Sequence, residues 1–154
     1  DQLESIDATP VMAIHGDFHV GQVLRHADGY AITDFDGNPV VPPSERDRPQ
    51  AAAVDVVGML ASLDHVGRVV GHRTDGVDMQ LVDDWIRAAH DAFLQTYCER
   101  LEAAGARHLL DDRLLAPMRL AQEVREYLYA VRHLPHWTYV PDQALVHLLA
   151  EEAR

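Results

Sequence analysis

The 154-residue sequence contains no lysine, a single cysteine and no apolar run long enough to cross a membrane. All 13 basic residues are arginine, they face 25 acidic residues, and the formal net charge is −12. This balance argues against a nucleic-acid partner, because phosphates would be repelled and few cations exist to displace counterions. A membrane partner is not expected either, since a transmembrane helix needs about 20 apolar residues. We interpret the acidity mainly as a source of solubility, with a weak attraction for a cationic or metal-bound substrate.

The scarcity of cysteine points to a compartment. Cys98 cannot form an internal disulfide bond, which favours a reducing cytoplasm. Residues 1–5 lack the basic and apolar pattern of a signal peptide, and a start without Met predicts a fragment or a processed chain. The length fits one domain with a sizeable core, and 47% hydrophobic with 25% charged residues is typical of soluble globular proteins.

Two segments carry the residue types that phosphoryl transfer needs. The first reads Ile-His-Gly-Asp-Phe-His-Val-Gly-Gln over 14–22, and the second reads Ala-Ile-Thr-Asp-Phe-Asp-Gly over 31–37. In this chemistry one carboxylate orients and deprotonates the attacking hydroxyl, while an amide and a second carboxylate hold Mg²⁺ on the nucleotide phosphates. Asp17 and Gln22 are five residues apart, the spacing between the Asp and Asn of a protein-kinase catalytic loop. Asp34 follows and completes the set.

The segments between and after these motifs predict a mainly helical α+β fold. The Asp28-Gly29 pair is a strong hairpin signal, and a hairpin there would bring Gln22 close to Asp34. The prolines between Asn38 and Pro43 are expected to forbid regular structure. Apolar residues at helical spacing then predict four or five helices, with starts after Pro49, at Asp78, at Asp111 or Asp112 and at Pro141-Asp142.

The combination of the two motifs resembles the aminoglycoside-phosphotransferase family of kinases. The resemblance is closest to the actinobacterial glucosamine-kinase and maltokinase group, whose loop reads His-Gly-Asp-x-His-x-x-Gln and whose second motif is an Asp-Phe-(Asp/Glu)-Gly-(Asn/Glu)-Pro run. The segment from Asp55 to Asp64 also resembles the helix that follows in that group. The resemblance covers most of the chain and implies a protein-kinase-like C-terminal lobe over residues 1–154, in which a small β-hairpin carries the catalytic loop and the metal motif.

The resemblance implies a role for each motif residue. Asp17 would be the catalytic base or the group that orients the sugar hydroxyl. The metal ligands for Mg²⁺, with ATP as the co-substrate, would be Gln22, Asp34 and Asp36, although Asp36 could instead satisfy backbone N–H groups in the turn. Three further residues would not bind the metal or the sugar directly but would hold the loop and its side chains in place: His15, His19 and Asp55.

A second stretch, over 122–137, predicts a sugar pocket. Glu123 and Glu126 are one helical turn apart, Tyr129 follows, and Trp137 comes just past the expected helix end. Carboxylates that bind hydroxyls or an ammonium, beside an aromatic ring that covers a pyranose face, suit a small sugar. A solvated charged face with aromatic residues packed in the core is the alternative. The stretch looks more like the glucosamine-kinase branch, and maltose is the second choice of substrate.

The absence of lysine gains a meaning from this resemblance. Most kinases of this fold hold the nucleotide phosphates with a Lys on a strand of an N-terminal lobe, and the sequence has neither that Lys nor a Gly-rich phosphate loop. We therefore expect the nucleotide-clamping lobe to be absent from this chain. These 154 residues alone are predicted to have no measurable kinase activity.

Two alternatives from other classes remain open at this stage. His15, Asp17 and His19 alternate, so on a regular strand they would share one face and could bind Zn²⁺ or Mn²⁺ in a metal-dependent hydrolase. The chain could also be a non-catalytic binding domain that kept a kinase fold. The remaining histidines, His65 among them, are interpreted as surface or core residues.

Overall fold

The computed structural model describes residues 8–152 and is mainly helical with one small sheet, as the sequence predicts. The regular elements, in chain order, are strands β1 (Val23–His26) and β2 (Gly29–Ile32), and helices α1 (Pro43–Arg46), α2 (Ala53–Arg73), α3 (Met79–Ala103), α4 (Leu115–His133) and α5 (Tyr139–Glu152). Short 3₁₀ turns lie at Val20–Gln22, Arg107–Leu109, Asp112–Leu114 and Pro135–Trp137. Among the described residues, no helix combines the length and apolar character needed to cross a bilayer.

The hairpin forms at the predicted Asp-Gly turn. β1 and β2 pair antiparallel from Val23 opposite Ile32 to His26 opposite Gly29. Just outside the paired strands, the backbone N–H of Thr33 donates to the carbonyl of Gln22 at 3.0 Å. The residues that enter and leave the hairpin are therefore neighbours, although they are far apart in sequence.

The proline-rich segment departs from the expectation. Residues 43–46 form the short helix α1, with Pro43 in its first turn. Proline is accepted there because its missing N–H has no intrahelical partner at that position. The Arg46 side chain then donates to the carbonyls of Val41 (2.7 Å) and Pro39 (2.8 Å), which holds the preceding turn against α1.

Helix α2 is the centre of the molecule and packs against α3, α4 and α5. Its buried face includes Ala53, Val56, Val57 and Leu60, each at most 2% exposed. Two of these residues, Val56 and Val57, are β-branched and have only moderate helix propensity, so packing contributes more than local preference to the stability of this helix. Its first residues are approached by the loop that precedes β1, which places the candidate site at the N-terminal half of α2.

Helices α3 and α4 begin close to the predicted positions, whereas α5 begins at Tyr139, two residues before the predicted start at Pro141. The Asp78 side chain caps α3 by accepting from the N–H of Gln80 at 2.9 Å. Asp111 caps the 3₁₀ turn that leads into α4. Close packing of α3 on α2 depends on Gly67, where an added Cβ would lie 2.5 Å from the Ile86 side chain.

Candidate active site

The loop of residues 15–22, called the catalytic loop after its predicted role, is held by the first turn of α2. One carboxylate oxygen of Asp55 accepts from the N–H of His15 at 2.7 Å, and the other accepts from the N–H of Gly16 at 2.8 Å. Charge-assisted bonds of this kind are about twice as strong as neutral ones. Asp55 therefore lies behind the loop and fixes its start.

His15 is buried beneath the loop and joins it to the end of the hairpin. Its Nε2 is 2.8 Å from the carbonyl of Thr33, and its Nδ1 lies 3.3 Å from the backbone N–H of Asp17. A neutral ring that donates from Nε2 and accepts at Nδ1 satisfies both contacts. The rings of Phe18 and Phe35 pack at centroid distances of 5.5 and 4.7 Å. Two polar contacts and two aromatic rings thus hold the imidazole in place, and the imidazole in turn orients the backbone that carries Asp17.

Two glycines bring the loop against the turn of residues 34–37, which carries the predicted metal ligands Asp34 and Asp36. Gly16 has φ of +82°, and a Cβ at this position would lie 3.2 Å from the Cα of Gly37, which itself has φ of +74°. Both residues therefore need the left-handed conformation. At Gly16 there is also little room for a side chain, because of the close approach to Gly37. The two predicted motifs are therefore in contact through the backbone of these two glycines.

Asp17 faces a large cavity from the catalytic loop. Its carboxylate lies 4.0 Å from Nε2 of His19 and is about 29% exposed. Burial raises the pKa of Asp17, the neighbouring His19 and His15 lower it, and the carboxylates of Asp34 and Asp55 raise it further; the net shift is upward. A more basic carboxylate is a better proton acceptor, as long as it stays ionised at the working pH.

Gln22 and Asp34 meet beside Asp17. The Nε2 atom of Gln22 lies 3.3 Å from Oδ2 of Asp34 and 3.4 Å from Nε2 of His19. Asp34 has φ of +63° and, among the described residues, it alone combines a positive φ with a side chain. Such a conformation costs on the order of 1–3 kcal/mol and is typical of functional sites. Asp36 is exposed two residues further on, in the same turn.

The donor set at this position fits Mg²⁺. Carboxylate and amide oxygens are hard ligands, and Mg²⁺ in nucleotide enzymes takes one or two protein ligands, with the remaining positions filled by phosphate oxygens and water. Rotation of the Gln22 amide by 180° would present its oxygen beside Asp34, and amide orientation is set by the surrounding hydrogen bonds. Asp34 and Gln22 would therefore be the principal ligands of Mg²⁺. Asp36, in the same turn as Asp34, would be a further candidate.

The cavity has a volume of about 900 Å³, within the range of small-molecule sites. The catalytic loop and residues 38–41 form one side, α2 forms the floor, and α4 forms the opposite side. The polar or aromatic side chains that line it include Asp17, His19, Ser62, His65, Gln122, Arg125, Glu126 and Trp137.

Of the four predicted sugar-binding residues, Glu126 and Trp137 line this cavity. Burial raises the pKa of Glu126; His65 lowers it, Glu123 raises it, Arg125 lowers it and Asp17 raises it, with a net upward shift. Asp17 and Glu126 both line the cavity, so the loop and α4 face the same space.

The other two predicted residues lie elsewhere. Glu123 is 3% exposed and its Oε2 lies 3.1 Å from Nε2 of His65. It lies behind His65 and is not among the residues that line the cavity. Tyr129 is 46% exposed and packs against His133 at a ring distance of 4.8 Å, outside the cavity lining. Their predicted roles stay predictions, and any contact of Glu123 with substrate would be indirect.

The sequence reasoning missed three residues of α2 that face the site. Gly58 packs closely against the backbone carbonyl of Phe18, and Ser62 accepts from the N–H of Val20 at 3.1 Å. His65 lines the cavity. Together with Asp55 they occupy positions i, i+3, i+7 and i+10 of one helix face. This row of small and polar residues within an otherwise apolar helix was the available signal.

The geometry does not support the hydrolase alternative. Residues 15–19 do not form a strand, and the ring of His15 is directed to Thr33 while Nδ1 of His19 accepts from Gly21 at 3.1 Å. Within the part of the chain that the structure describes, no three His, Cys, Asp or Glu side chains come together to hold a metal ion.

Comparisons with known proteins find curated relatives that match almost the whole of this chain. No protein-family model matches the sequence. A curated glucosamine kinase from Streptacidiphilus jiangxiensis is 58% identical over 153 residues, which cover 99% of this chain and 35% of that protein. A glucosamine kinase from Mycolicibacterium smegmatis is 48% identical over 149 residues, which cover 97% of this chain and 37% of that protein.

Solved structures agree with the sequence comparison. A glucosamine kinase in complex with glucosamine, ADP and inorganic phosphate matches with a TM-score of 0.94 at 58% identity, over 99% of this chain and 38% of that one. A second crystal form of a glucosamine kinase matches with a TM-score of 0.90 at 61% identity, over 94% of this chain and 35% of that one. The chain therefore spans somewhat more than one third of the length of the relatives it matches.

Proposed function

We propose that this chain is the C-terminal, catalytic lobe of an ATP- and Mg²⁺-dependent glucosamine kinase. The observation that carries the proposal is the meeting of Gln22 with Asp34 at 3.3 Å, next to His19, which lines a sugar-sized cavity together with Asp17. Relatives that bear the name glucosamine kinase at 48–58% identity support the choice of substrate. The aminoglycoside-phosphotransferase family remains the proposed wider group.

Asp17 would orient the acceptor hydroxyl and take its proton. The hydroxyl oxygen would form a bond to the γ-phosphorus of ATP, and the bond to the β–γ bridging oxygen would break, releasing ADP. Asp34 and Gln22, with Asp36 as a further candidate, would hold the Mg²⁺ ion, which would supply neutralising charge to the phosphates. His15, His19 and Asp55 would keep the loop in register, since a misplacement of about 1 Å costs on the order of 100-fold in rate.

The amino sugar would be held between the loop and α4. Glu126 offers a carboxylate to the ammonium group, and the Trp137 ring offers an apolar surface to a pyranose face. The predicted contributions of Glu123 and Tyr129 would be made from outside the cavity lining. The formal charge of −12 is compatible with a cationic substrate.

The nucleotide phosphates would need a partner beyond these residues. The sequence has no lysine to clamp them, and the chain spans about one third of its curated relatives. We propose that a nucleotide-clamping N-terminal lobe of the same enzyme supplies this function. "Full-length enzyme" below means this chain together with that lobe.

The test is a substrate screen with the full-length enzyme. ADP release with ATP and Mg²⁺ is measured against glucosamine, maltose, glucose and an aminoglycoside. Glucosamine is expected to give the highest kcat/KM. Preference for maltose would place the enzyme in the sister branch, and absence of turnover with every sugar would remove the proposal.

A further inference from the structure

We propose that His65 is a sugar-positioning residue, which binds a substrate hydroxyl beside the amino group and acts as a unit with the buried carboxylate of Glu123. The proposal deepens the function proposed above and rests on it. It assigns substrate contact to a histidine that sequence reasoning placed among surface or core residues. The role predicted for Glu123 becomes an indirect one, exerted through His65.

The first support is geometric. His65 lines the cavity from α2, and its side chain is about 16% exposed. Its Nε2 lies 3.1 Å from Oε2 of Glu123, whose side chain is only about 4% exposed. A buried carboxylate needs a partner, and the imidazole is the partner that this site provides. The pair therefore fixes the ring orientation and places a proton on Nε2, so that Nδ1 remains for another ligand.

The second support is the charge around the ring. Burial opposes protonation of His65, but the hydrogen bond to Glu123 and the charges of Glu123, Glu126 and Asp64 outweigh it and raise the pKa of His65. Glu123 and Glu126 face the ring from α4, Asp64 is its neighbour on α2, and the cavity also contains Asp17 and Arg125. A protonated imidazole donates from both nitrogens.

The arrangement of the two carboxylates then suits an amino sugar. Glu123 is buried and paired with His65, whereas Glu126 lines the cavity and is the carboxylate of this helix that a substrate ammonium can reach. Nδ1–H would donate to a hydroxyl oxygen next to that ammonium. Such a site has one acceptor for the amine and one donor for the adjacent hydroxyl. It would select against other sugars, because a sugar that lacks either group leaves a buried polar group of the protein without a partner.

Two substitutions separate the positioning role from a packing role. In His65→Gln the amide nitrogen takes the place of Nε2 and keeps the bond to Glu123, but the donor toward the cavity and the titrating group are lost. In His65→Asn the amide takes the place of Nδ1 and faces the cavity, but Glu123 loses its partner. His108→Gln is the matched control, because His108 is exposed in a 3₁₀ turn away from the cavity.

The experiment measures kcat, KM and melting temperature of the full-length enzyme and its variants with glucosamine, over a range of pH. At a pH where the wild-type His65 is neutral, His65→Gln is expected to have the wild-type melting temperature. At lower pH it is expected to raise KM about 10- to 100-fold with a much smaller change in kcat, and it should lose the rise of KM that accompanies deprotonation of the wild-type histidine. His65→Asn is expected to melt earlier but to retain a lower KM than His65→Gln.

The outcomes distinguish this proposal from the function on which it rests. Wild-type KM and pH dependence in His65→Gln, with the wild-type enzyme active, would reduce His65 to a packing residue and overturn this inference alone. A melting temperature that falls in His65→Gln with KM unchanged would do the same. An inactive wild-type enzyme would overturn the proposed function first, and this inference with it.

Discussion

The amide group of Gln22 lies 3.3 Å from the carboxylate of Asp34, although 11 residues of hairpin separate them in sequence. The pairing of β1 with β2 favours this contact, because it aligns Val23 with Ile32 and so places Gln22 opposite Thr33, the residue before Asp34. An amide and a carboxylate in contact can share one hard cation when the amide presents its oxygen.

Replacing Gln22 by Ala is therefore expected to raise the Mg²⁺ concentration that the full-length enzyme needs for half-maximal activity, by about 10-fold or more. The measurement is a Mg²⁺ titration of turnover at saturating glucosamine. Gln95→Ala is the control, because Gln95 is exposed on α3 and bonds to Glu99 one helical turn away. An unchanged Mg²⁺ requirement in Gln22→Ala would remove Gln22 from the metal site.

Asp55 is expected to be required for both stability and activity. Its two oxygens accept from the N–H groups of His15 and Gly16, and Asp55→Asn would turn an amide N–H toward one of these donors. We expect a loss of about 2 kcal/mol in the free energy of unfolding and at least a 10-fold loss in kcat. Urea denaturation and steady-state kinetics check this. Asp75→Asn, at an exposed turn, should change neither, and equal effects in both variants would contradict the assignment.

Gly58→Ala tests the contact between α2 and the catalytic loop. A Cβ at this position would lie 2.7 Å from the carbonyl oxygen of Phe18, the residue after Asp17. Alanine has a higher helix propensity, by about 1 kcal/mol, but the clash with backbone is expected to cost about 1–3 kcal/mol and to displace the loop. The free energy of unfolding and kcat should both fall.

Gly71→Ala on the same helix is the matched control for that substitution. Its Cβ would meet only the end of the flexible Met79 side chain at 3.0 and 3.2 Å, with Val82 at 3.4 Å. This variant is expected to be neutral or slightly more stable and fully active. Loss of activity in Gly71→Ala but not in Gly58→Ala would show that the helix, and not its contact with the loop, is what matters.

The His65–Glu123 pair predicts a pH dependence of stability with a definite sign. The pKa of His65 is raised in the folded protein above its ordinary value of 6.5, so the folded state holds its proton more tightly than the unfolded chain. The stabilisation is complete below pH 6.5 and is lost as the pH rises through the folded-state pKa. Melting temperatures of wild type and His65→Gln should therefore converge as the pH rises above neutrality. A difference that grows with rising pH would contradict the pairing.

The local parts of this fold could be predicted because they depend on neighbouring residues. Asp28-Gly29 specified the hairpin, and Asp78 specified the start of α3, since turn and cap chemistry act over three or four positions. Pro43 was judged as a helix breaker, although proline in a first turn starts a helix as readily as it ends one.

The parts that could not be predicted depend on tertiary packing. Glu123 and Glu126 are three residues apart, and sequence spacing cannot show which of them turns toward the cavity. The rotation of α4 about its axis decides this, and that rotation is set by contacts with α2 and α5. The partnership of His65 with Glu123 and the positive φ of Asp34 arise in the same way, because both need surrounding structure to hold them.

The most direct measurement of the central claim is the turnover of Asp17→Asn in the full-length enzyme, with ATP, Mg²⁺ and glucosamine. The account predicts a fall in kcat of several orders of magnitude with an almost unchanged melting temperature, because Asn keeps the size of the side chain but cannot accept the proton. The control, Asp28→Asn in the exposed hairpin turn, should keep wild-type turnover. Near-normal turnover of Asp17→Asn would contradict the assignment of this site to phosphoryl transfer.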